Sequence, residues 1–189
     1  MCQALLLDKR FHQLLLQFDE DLAASTRAGG CRRCGSVLHS ARYRRKPRGA
    51  PPGLVPEYSQ RSSFCCAVEG CRKRHPAPSL RFLGRKVYLA TVVVLISAMR
   101  GGLTAKRAQY LAQSVSVPRR TLERWRRWWL EAFAQSSFWK GACARFLPPV
   151  DTEALPASLL ERFSGQDLQG RLIGLLQFLS PLSTLSNGA

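Results

Sequence analysis

The chain has 189 residues, 46% of them hydrophobic, and its 29 Lys and Arg against 12 Asp and Glu give a formal net charge of +17. The hydrophobic content excludes a disordered basic tail, and the length fits one medium domain or two small ones. A charge of this size predicts a polyanionic partner, for which nucleic acid is the first candidate. The alternatives are a basic ribosomal protein, a merely soluble basic protein, and an arginine content inflated by a GC-rich genome.

The excess positive charge lies in the middle of the sequence. Residues 1–30 carry −1, residues 31–86 carry +12, residues 87–147 carry +8 and residues 148–189 carry −2. The two central segments therefore predict the nucleic-acid-binding surface. The two ends are neutral or slightly acidic, and we expect them to bind protein, either a second copy of the chain or another subunit.

The N-terminal segment, residues 1–30, predicts one amphipathic helix over residues 5–25. Apolar side chains recur there at the spacing of one helical face, namely at Leu7, Phe11, Leu14, Leu15, Phe18 and Leu22. The pair Gly29-Gly30 is expected to end the helix. From residue 31 to about residue 75 the helical period is lost and Arg, Pro and Gly are frequent. Only short strands and turns are expected there, with too few core residues to fold unaided.

The chain has seven cysteines, of which the clustered ones are expected to bind metal and not to form disulfides. The N-terminus, MCQALLLDKRFHQ, does not resemble a signal peptide, because acidic residues follow soon and a small-residue cleavage site is missing. We therefore expect a bacterial cytoplasmic protein, associated with the nucleoid, whose thiols stay reduced. The apolar run at residues 87–99 is too short to cross a bilayer. It predicts a buried helix, and no membrane partner is expected.

Two cysteine knuckles predict one structural Zn(II) per chain within a zinc ribbon at residues 31–82. The first knuckle is Cys31-Arg-Arg-Cys34-Gly35, in which the Gly permits a tight turn. The second is Phe64-Cys65-Cys66-Ala-Val-Glu-Gly70-Cys71. Four thiolates leave no open position for a catalytic water, so the role of the metal is structural. The alternative is a set of buried cysteines without metal.

The second knuckle offers three cysteines, so its ligand pair has to be chosen. Cys66 and Cys71, with Phe64 two residues before them, resemble the first half of a C2H2 zinc finger. Strand alternation then turns Cys65 to the opposite face. We predict the ligands Cys31, Cys34, Cys66 and Cys71, with Cys65 in reserve. His75 is interpreted as a surface residue beside Arg72, Lys73 and Arg74, and His39 as a hairpin residue.

A cluster of basic residues between the knuckles predicts a loop that contacts phosphates. Its members are Arg42, Arg44, Arg45, Lys46 and Arg48, with Tyr43 interleaved. The alternative is a solvated loop without function.

The segment at residues 83–147 predicts a helix-turn-helix domain. In residues 104–133, Leu111, Val115, Val117, Leu122 and Trp125 have the apolar spacing of that motif, and Ala112 is small where helices meet. The motif prefers Gly at the turn, where this chain has Ser116. The second helix is expected over residues 118–133, with Pro118 at its first position, and the helix at residues 87–99 completes a trihelical unit.

The second helix has the composition of a recognition helix. Leu122, Trp125, Trp129 and Phe133 predict an inward stripe. The expected contacts with base edges are Arg119, Arg120, Thr121 and Arg124, and the expected contacts with phosphates are Arg126 and Arg127. The alternative is an ordinary helical hairpin with a solvated arginine face. Beyond it, residues 148–189 predict a helical tail with short helices at residues 156–163 and 167–179, the second capped by Asp167.

A cysteine ribbon followed by a basic helix-turn-helix resembles the DNA-binding part of bacterial insertion-sequence transposases and their accessory proteins. The resemblance rests on the four cysteines, on the run Cys71-Arg-Lys-Arg74 and on the helix from Arg119 to Trp129, and it covers about residues 31–133. It implies recognition of the ends or the regulatory DNA of a mobile element. Such transposases carry a catalytic acidic triad in a further domain, which Asp151, Glu153, Glu161 and Asp167 do not match here.

The resulting prediction is a mainly α-helical protein with a small β zinc ribbon. We expect it to bind double-stranded DNA as an accessory or regulatory protein of a mobile element and not to be an enzyme. The alternatives are an RNA- or ribosome-associated zinc ribbon and, less favoured, a transposase or nuclease with carboxylates near Asp151 and Glu153.

Overall fold

A computed structural model describes residues 2–83, 89–99, 109–110, 113 and 117–184. The described chain is about half helical and contains one small antiparallel sheet. This agrees with the predicted mixture of helices and a small β structure. The described helices of the model are all too short or too polar to span a bilayer.

The N-terminal segment forms two helices where the sequence predicted one. Helix α1 spans Cys2–Leu7, and helix α2 spans Lys9–Ala28. Asp8 separates them because its carboxylate accepts hydrogen bonds from the backbone N–H groups of Arg10 (2.8 Å) and Phe11 (3.3 Å), and so starts a new helix. The predicted end is confirmed: Gly29 follows the last helical residue, and Gly30 has a positive φ of 67°.

The predicted ribbon contains a three-stranded antiparallel sheet in the order β1-β2-β3. Strand β1 spans Leu38–Arg44, β2 spans Gln60–Cys66 and β3 spans Arg74–Pro76. Leu38 pairs with Cys66, and Phe64 pairs with His75. The expectation of short strands and turns agrees with this small sheet, in which β1 and β2 pair over seven residues. Strand β2 buries four of its seven residues, whereas β1 buries only Leu38.

Beyond α2, five further helices have both ends within the described residues. They are α3 (Ala90–Ser97), α4 (Arg119–Trp128), α5 (Ser137–Ala142), α6 (Ala157–Leu160) and α7 (Leu168–Leu179). All eight residues of α3 are buried, as its apolar sequence predicts, and α3 packs on both α4 and α7. A π-helical turn over Trp129–Phe133 continues α4.

Helix α4 begins one residue later than predicted. Pro118 flanks the helix with an extended ψ of 146°, and its carbonyl accepts the N–H groups of Thr121 and Leu122. The predicted stripe is buried: Leu122, Trp125, Trp129 and Phe133 are each at most 5% exposed. The first helix of the predicted helix-turn-helix and its turn lie outside the described residues, apart from residues 109–110 and 113.

In the C-terminal tail the second helix follows its prediction closely, whereas the first, predicted over residues 156–163, is the shorter α6 at Ala157–Leu160. Helix α7 begins after Asp167, whose carboxylate accepts the N–H of Gly170 at 2.8 Å. Leu172, Leu175, Leu176 and Leu179 are buried. They join the same core as Phe11 and Leu15 of α2, so both ends of the chain pack on one body.

The described hydrophobic core has two parts. The larger cluster joins α1, α2, α3, α4, α6 and α7 with Tyr58, Leu80 and Phe82 from the sheet region. The smaller cluster lies between α2 and the sheet and contains Ala23, Cys31, Leu38, Phe64, Cys66 and Ala77. Two of its six members are predicted metal ligands, so the inner face of the sheet has little apolar surface of its own.

A buried ionic cluster lies where the sheet of β1, β2 and β3 meets the helices of the larger core cluster. The carboxylate of Asp19, on α2, accepts bonds from the Ser79 hydroxyl (2.5 Å), the Leu80 N–H (2.6 Å) and the Arg81 Nε (2.7 Å). Arg81 also donates to the backbone carbonyls of Tyr58 and Gln60. Arg81 and Asp19 are only 3% and 6% exposed, so this cation stabilises the fold.

Candidate metal centre and basic surfaces

The chain brings the four predicted metal ligands together at one end of the sheet. Cys31 and Cys34 follow the end of α2, Cys66 is the last residue of β2, and Cys71 lies in the turn that leads to β3. Their sulfur atoms all lie within 4.8 Å of one another. Among the described residues, this is the only group of three or more His, Cys, Asp or Glu side chains whose ligand atoms converge in this way.

The distances between the sulfurs fit a tetrahedral metal site. Cys31 and Cys71 are 3.7 Å apart at Sγ, and Cys34 and Cys66 are 3.4 Å apart. Four thiolates at the usual Zn–S distance of about 2.3 Å stand about 3.8 Å from each other in a tetrahedron. The four cysteines can therefore hold a metal ion after small adjustments of their side chains.

The pKa values of the Cys34 and Cys66 thiols are shifted in opposite directions. The Ser36 backbone N–H and then its hydroxyl donate to Cys34 and lower the pKa of this thiol to about 6. Burial raises the pKa of the Cys66 thiol to about 12. Cysteines bind metal as thiolates, so a divalent cation held by the four sulfurs would favour the thiolate form of each.

The prediction that His75 is a surface residue was wrong. His75 is 8% exposed, and its Nε2 lies 3.3 Å from Sγ of Cys31. The reason is the register of β3, which places His75 opposite Phe64 on the inner face of the sheet. His75 therefore touches the metal site, where an Nε2–H group can donate to the Cys31 thiolate and orient it.

The reserve ligand Cys65 lies on the opposite face of the sheet, as strand alternation predicts. Its Sγ donates to the backbone carbonyl of Arg72 at 3.5 Å. Its strand neighbours are His39 and Arg74, both exposed. His39 is thus on a hairpin strand, as interpreted from the sequence. Cys65 is not among the four converging sulfurs.

The basic cluster between the knuckles is partly strand, which corrects the prediction of a loop. Arg42 and Arg44 are exposed residues of β1, where a strand spacing of two puts them on one face. Arg45 is half-buried, and its guanidinium lies 4.9 Å from the centre of the Tyr43 ring. Lys46 and Arg48 follow as exposed residues. The seven-residue pairing of β1 with β2 is the reason for the extended conformation.

Most of the arginines predicted on the recognition helix are exposed. Arg119, Arg120, Arg124 and Arg127 are exposed on α4, and Thr121 is half-buried. Arg119 pairs with Glu123 at 2.8 Å and Arg127 with Glu131 at 3.9 Å. All four side chains of these pairs are at least 49% exposed.

Arg126 differs from the other arginines of α4. It is half-buried, and its buried Nη1 has no hydrogen-bond partner within the described part of the chain. It lines a cleft of about 440 Å³ together with Leu130, Asp151, Glu153 and Arg162. Asp151 and Glu153 thus share a cleft, but they lie outside the one convergent ligand group of the described residues.

The sequence patterns did not reveal several buried polar residues. They include His75 beside the metal site, Arg61, Arg81 with its partner Asp19, and His12. Arg61 donates to the carbonyls of Ala77 (3.2 Å) and Ser183 (2.6 Å), and burial lowers its pKa. Cysteine spacing gave no information about these contacts, because they depend on pairing between distant segments. Comparison with family models, curated proteins and solved structures finds no match for this chain.

Proposed function

We propose that the chain is a double-stranded DNA-binding protein that reads DNA with α4 and is held in shape by a structural zinc ion. The observation that carries the proposal is the division of α4 into two faces. Leu122 and Trp125 are buried in the core, while Arg119, Arg120, Arg124 and Arg127 are exposed. A helix that is anchored on one side and positively charged on the other fits the major groove.

The ion pairs on α4 do not compete strongly with a phosphate partner. The Arg119–Glu123 and Arg127–Glu131 pairs are solvent-exposed, and exposed pairs of this kind contribute about 0–1 kcal/mol. A duplex presents a dense row of phosphates, and its binding releases condensed counterions. We therefore expect these arginines to exchange their intrahelical partners for DNA.

Zinc is the proposed metal because all four converging ligands are cysteines. Four thiolates in a tetrahedral arrangement favour Zn(II) in a structural site. When bound, the ion would offset part of the negative charge of the four thiolates, and the cysteines that hold it would be cross-linked between the end of α2, β2 and the turn before β3. His75 would orient the Cys31 thiolate in this arrangement. The chain's own residues thus define a closed site with a role in folding.

The biological setting we propose is that of an accessory or regulatory protein of a bacterial mobile element. This rests on the resemblance of the cysteine ribbon and the basic helix to the DNA-binding part of insertion-sequence transposases.

The test of DNA binding compares two charge-removing variants of the purified zinc-loaded chain. Arg120→Gln combined with Arg124→Gln removes two exposed charges from α4, and Lys140→Gln removes one exposed charge from α5. Duplexes bound by the wild-type chain are selected from a random-sequence pool, and binding is measured over a range of salt concentrations.

The α4 variant should lose affinity for the selected duplex and lower the salt slope by about 0.9 for each phosphate contact removed. Where a removed arginine contacts a base, the preference for that base should weaken by about 1–3 kcal/mol. Lys140→Gln should bind like the wild type. Preferential binding of RNA by the wild-type chain, or equal binding by the α4 variant, would contradict the proposal.

A further inference from the structure

The two cysteine knuckles end in the same backbone conformation with different residues. Gly35 follows Cys34 with φ 72°, and Arg72 follows Cys71 with φ 41°. The N–H of Gly35 donates to the carbonyl of Cys31 at 2.7 Å, and that of Arg72 donates to the carbonyl of Val68 at 3.0 Å. Each bond closes a turn over four residues. Gly35 and Arg72 therefore occupy equivalent positions.

The backbone of Arg72 is strained at this position. Gly adopts a positive φ freely, whereas a residue with a long side chain does so at an energetic penalty. Arg72 is the one non-glycine residue with a positive φ among the described residues. A strained residue at a defined turn points to a use for its side chain.

The side chain of Arg72 has no use within the described fold. Arg72 is exposed, and the ion pairs and side-chain hydrogen bonds of the described residues do not include its guanidinium. Its backbone closes the knuckle through the N–H group, and its carbonyl accepts from Cys65. Glycine could supply both backbone groups. The side chain is therefore available to a partner outside the described fold.

The residues near Arg72 in the two knuckles are also positively charged. Five basic residues are attached directly to the two knuckles, and all are exposed. They are Arg32, Arg33, Arg72, Lys73 and Arg74. Arg32 and Arg33 stand between two ligands, and Arg72 follows a third, so convergence of the sulfurs within 4.8 Å gathers the charges at one end of the sheet. Glu69 is the one carboxylate within the second knuckle.

We propose that the two knuckles form a metal-assembled clamp for the phosphodiester backbone of a DNA duplex, with Arg72 as its central contact. This surface is separate from the residues assigned to DNA on α4 and on β1 and the segment after it. It rests on the proposed DNA-binding function and names a second place where the duplex is held. The ligand chemistry is that of paired backbone phosphates, for which guanidinium groups provide two parallel donors.

A competing role for these arginines is support of the metal itself. Guanidinium groups near the cysteines would stabilise the negatively charged thiolates and so strengthen metal binding. This role predicts that removal of Arg72 weakens zinc retention, whereas the clamp predicts that it weakens DNA binding alone. The two roles are separable by measurement.

The experiment uses Arg72→Gly, Arg72→Gln and Lys140→Gln in the full zinc-loaded chain. Arg72→Gly removes both the charge and the strain, and Arg72→Gln removes the charge and keeps the strain. Affinity for the duplex selected by the wild type is measured against salt concentration. Thermal unfolding and zinc release to a chelating dye are measured on the same samples.

Both Arg72 variants should bind the duplex about fivefold to tenfold more weakly near 0.1 M salt, with the salt slope reduced by about 0.9. Arg72→Gly should unfold at a higher temperature than Arg72→Gln, because only glycine relieves the strain. Zinc release should be unchanged in both. Lys140→Gln should match the wild type in all three measurements.

Three results would overturn the clamp. Unchanged DNA affinity in both Arg72 variants would show that Arg72 does not contact the duplex. Faster zinc release together with weaker DNA binding would show that Arg72 supports the metal site. If the Arg72 variants lost affinity for RNA but kept their affinity for the duplex, RNA would replace the duplex as the partner. If Arg72 variants keep full affinity while the α4 variant loses it, the clamp fails and the proposed function stands. If the wild-type chain binds no duplex, both fail.

Discussion

The sheet region with its cysteine site and the helical body are stabilised by different means. Of the described residues, 26 buried hydrophobic residues form the larger cluster, which is mainly helical. Six form the cluster under the sheet, and Cys31 and Cys66 are two of them. The helical body therefore has enough apolar surface to stabilise itself. The sheet region depends on cross-links, which are the proposed metal and the ionic cluster around Asp19.

Removal of the metal should have the largest effect and should separate the two regions. In small zinc domains the binding free energy, about 10–16 kcal/mol, is also folding free energy. A strong chelator, or Cys66→Ser, should therefore unfold β1 and β2 and leave the helices folded. Amide hydrogen exchange should show loss of protection in Leu38–Arg44 and Gln60–Cys66 but not in Ala90–Ser97.

The tryptophans provide a matched control for metal removal. All four lie in α4, the turn after it or α5, at Trp125, Trp128, Trp129 and Trp139. Their fluorescence should stay constant while the sheet unfolds. Cys65→Ser should retain the metal, because Cys65 lies outside the convergent group. A change in tryptophan emission at the same chelator concentration would show that the two regions unfold together.

Breaking the buried ion pair should have the next largest effect, because it acts on the junction. Asp19→Asn leaves the guanidinium of Arg81 buried without its charged partner, whose Oδ2 lies 2.7 Å from Nε. Loss of one partner of a buried pair costs about 3–5 kcal/mol. Urea unfolding should show this loss. Asp21→Asn, an exposed change on the same helix, should stay within about 0.5 kcal/mol.

The two regions differed in how well the sequence predicted them. The cysteine spacings were sufficient to choose Cys31, Cys34, Cys66 and Cys71, whose sulfurs converge. This is because a knuckle is a local structure in which spacing and geometry are nearly the same information. Helix α7 and its cap at Asp167 were likewise predicted from a local pattern.

The errors arose where distant segments decide the structure. His75 is buried because β3 pairs with β2, yet a strand of three residues gives no periodic signal. Arg81 is buried because Asp19, 62 residues away in sequence, neutralises it. Arginine is usually exposed unless paired, so its burial could not be predicted without the partner. The break at Asp8 was missed because a capping Asp between Leu7 and Lys9 looks like a polar position in one longer helix.

A smaller effect is expected at the start of α7, which tests whether the helical body depends on local caps. Asp167→Ala removes the acceptor for the N–H of Gly170, and loss of such a cap costs about 1 kcal/mol. Urea unfolding followed by tryptophan emission should show the decrease. Gln166→Ala, an exposed change one residue before the cap, is the control. Equal stability of the two variants would show that packing of the four leucines alone fixes this helix.

The smallest predicted effect is the pH dependence due to His12, which is buried in the helical body against Tyr58. The Leu6 carbonyl lies 3.0 Å from Nε2, so Nε2 carries the proton, and Nδ1 accepts from the Tyr58 hydroxyl at 2.8 Å. Burial lowers the pKa of His12, although the bond to Leu6 opposes the shift. Protonation of Nδ1 would end its role as acceptor for the Tyr58 hydroxyl and would place a charge in a buried site.

Since the pKa is lowered in the folded state, the unfolded chain binds the proton first as pH falls. The contribution of His12 is therefore fully present above its ordinary pKa of about 6.5 and is lost as pH falls from that value towards the lowered pKa of the folded state. Between pH 7.5 and pH 6.0 the free energy of unfolding should decrease. His12→Gln keeps a donor for Leu6 and cannot be protonated, so it should lack this decrease. Tryptophan emission during urea unfolding follows the helical body separately from acid effects at the cysteines. A wild-type decrease equal to that of His12→Gln would mean that His12 does not titrate differently in the folded and unfolded chains.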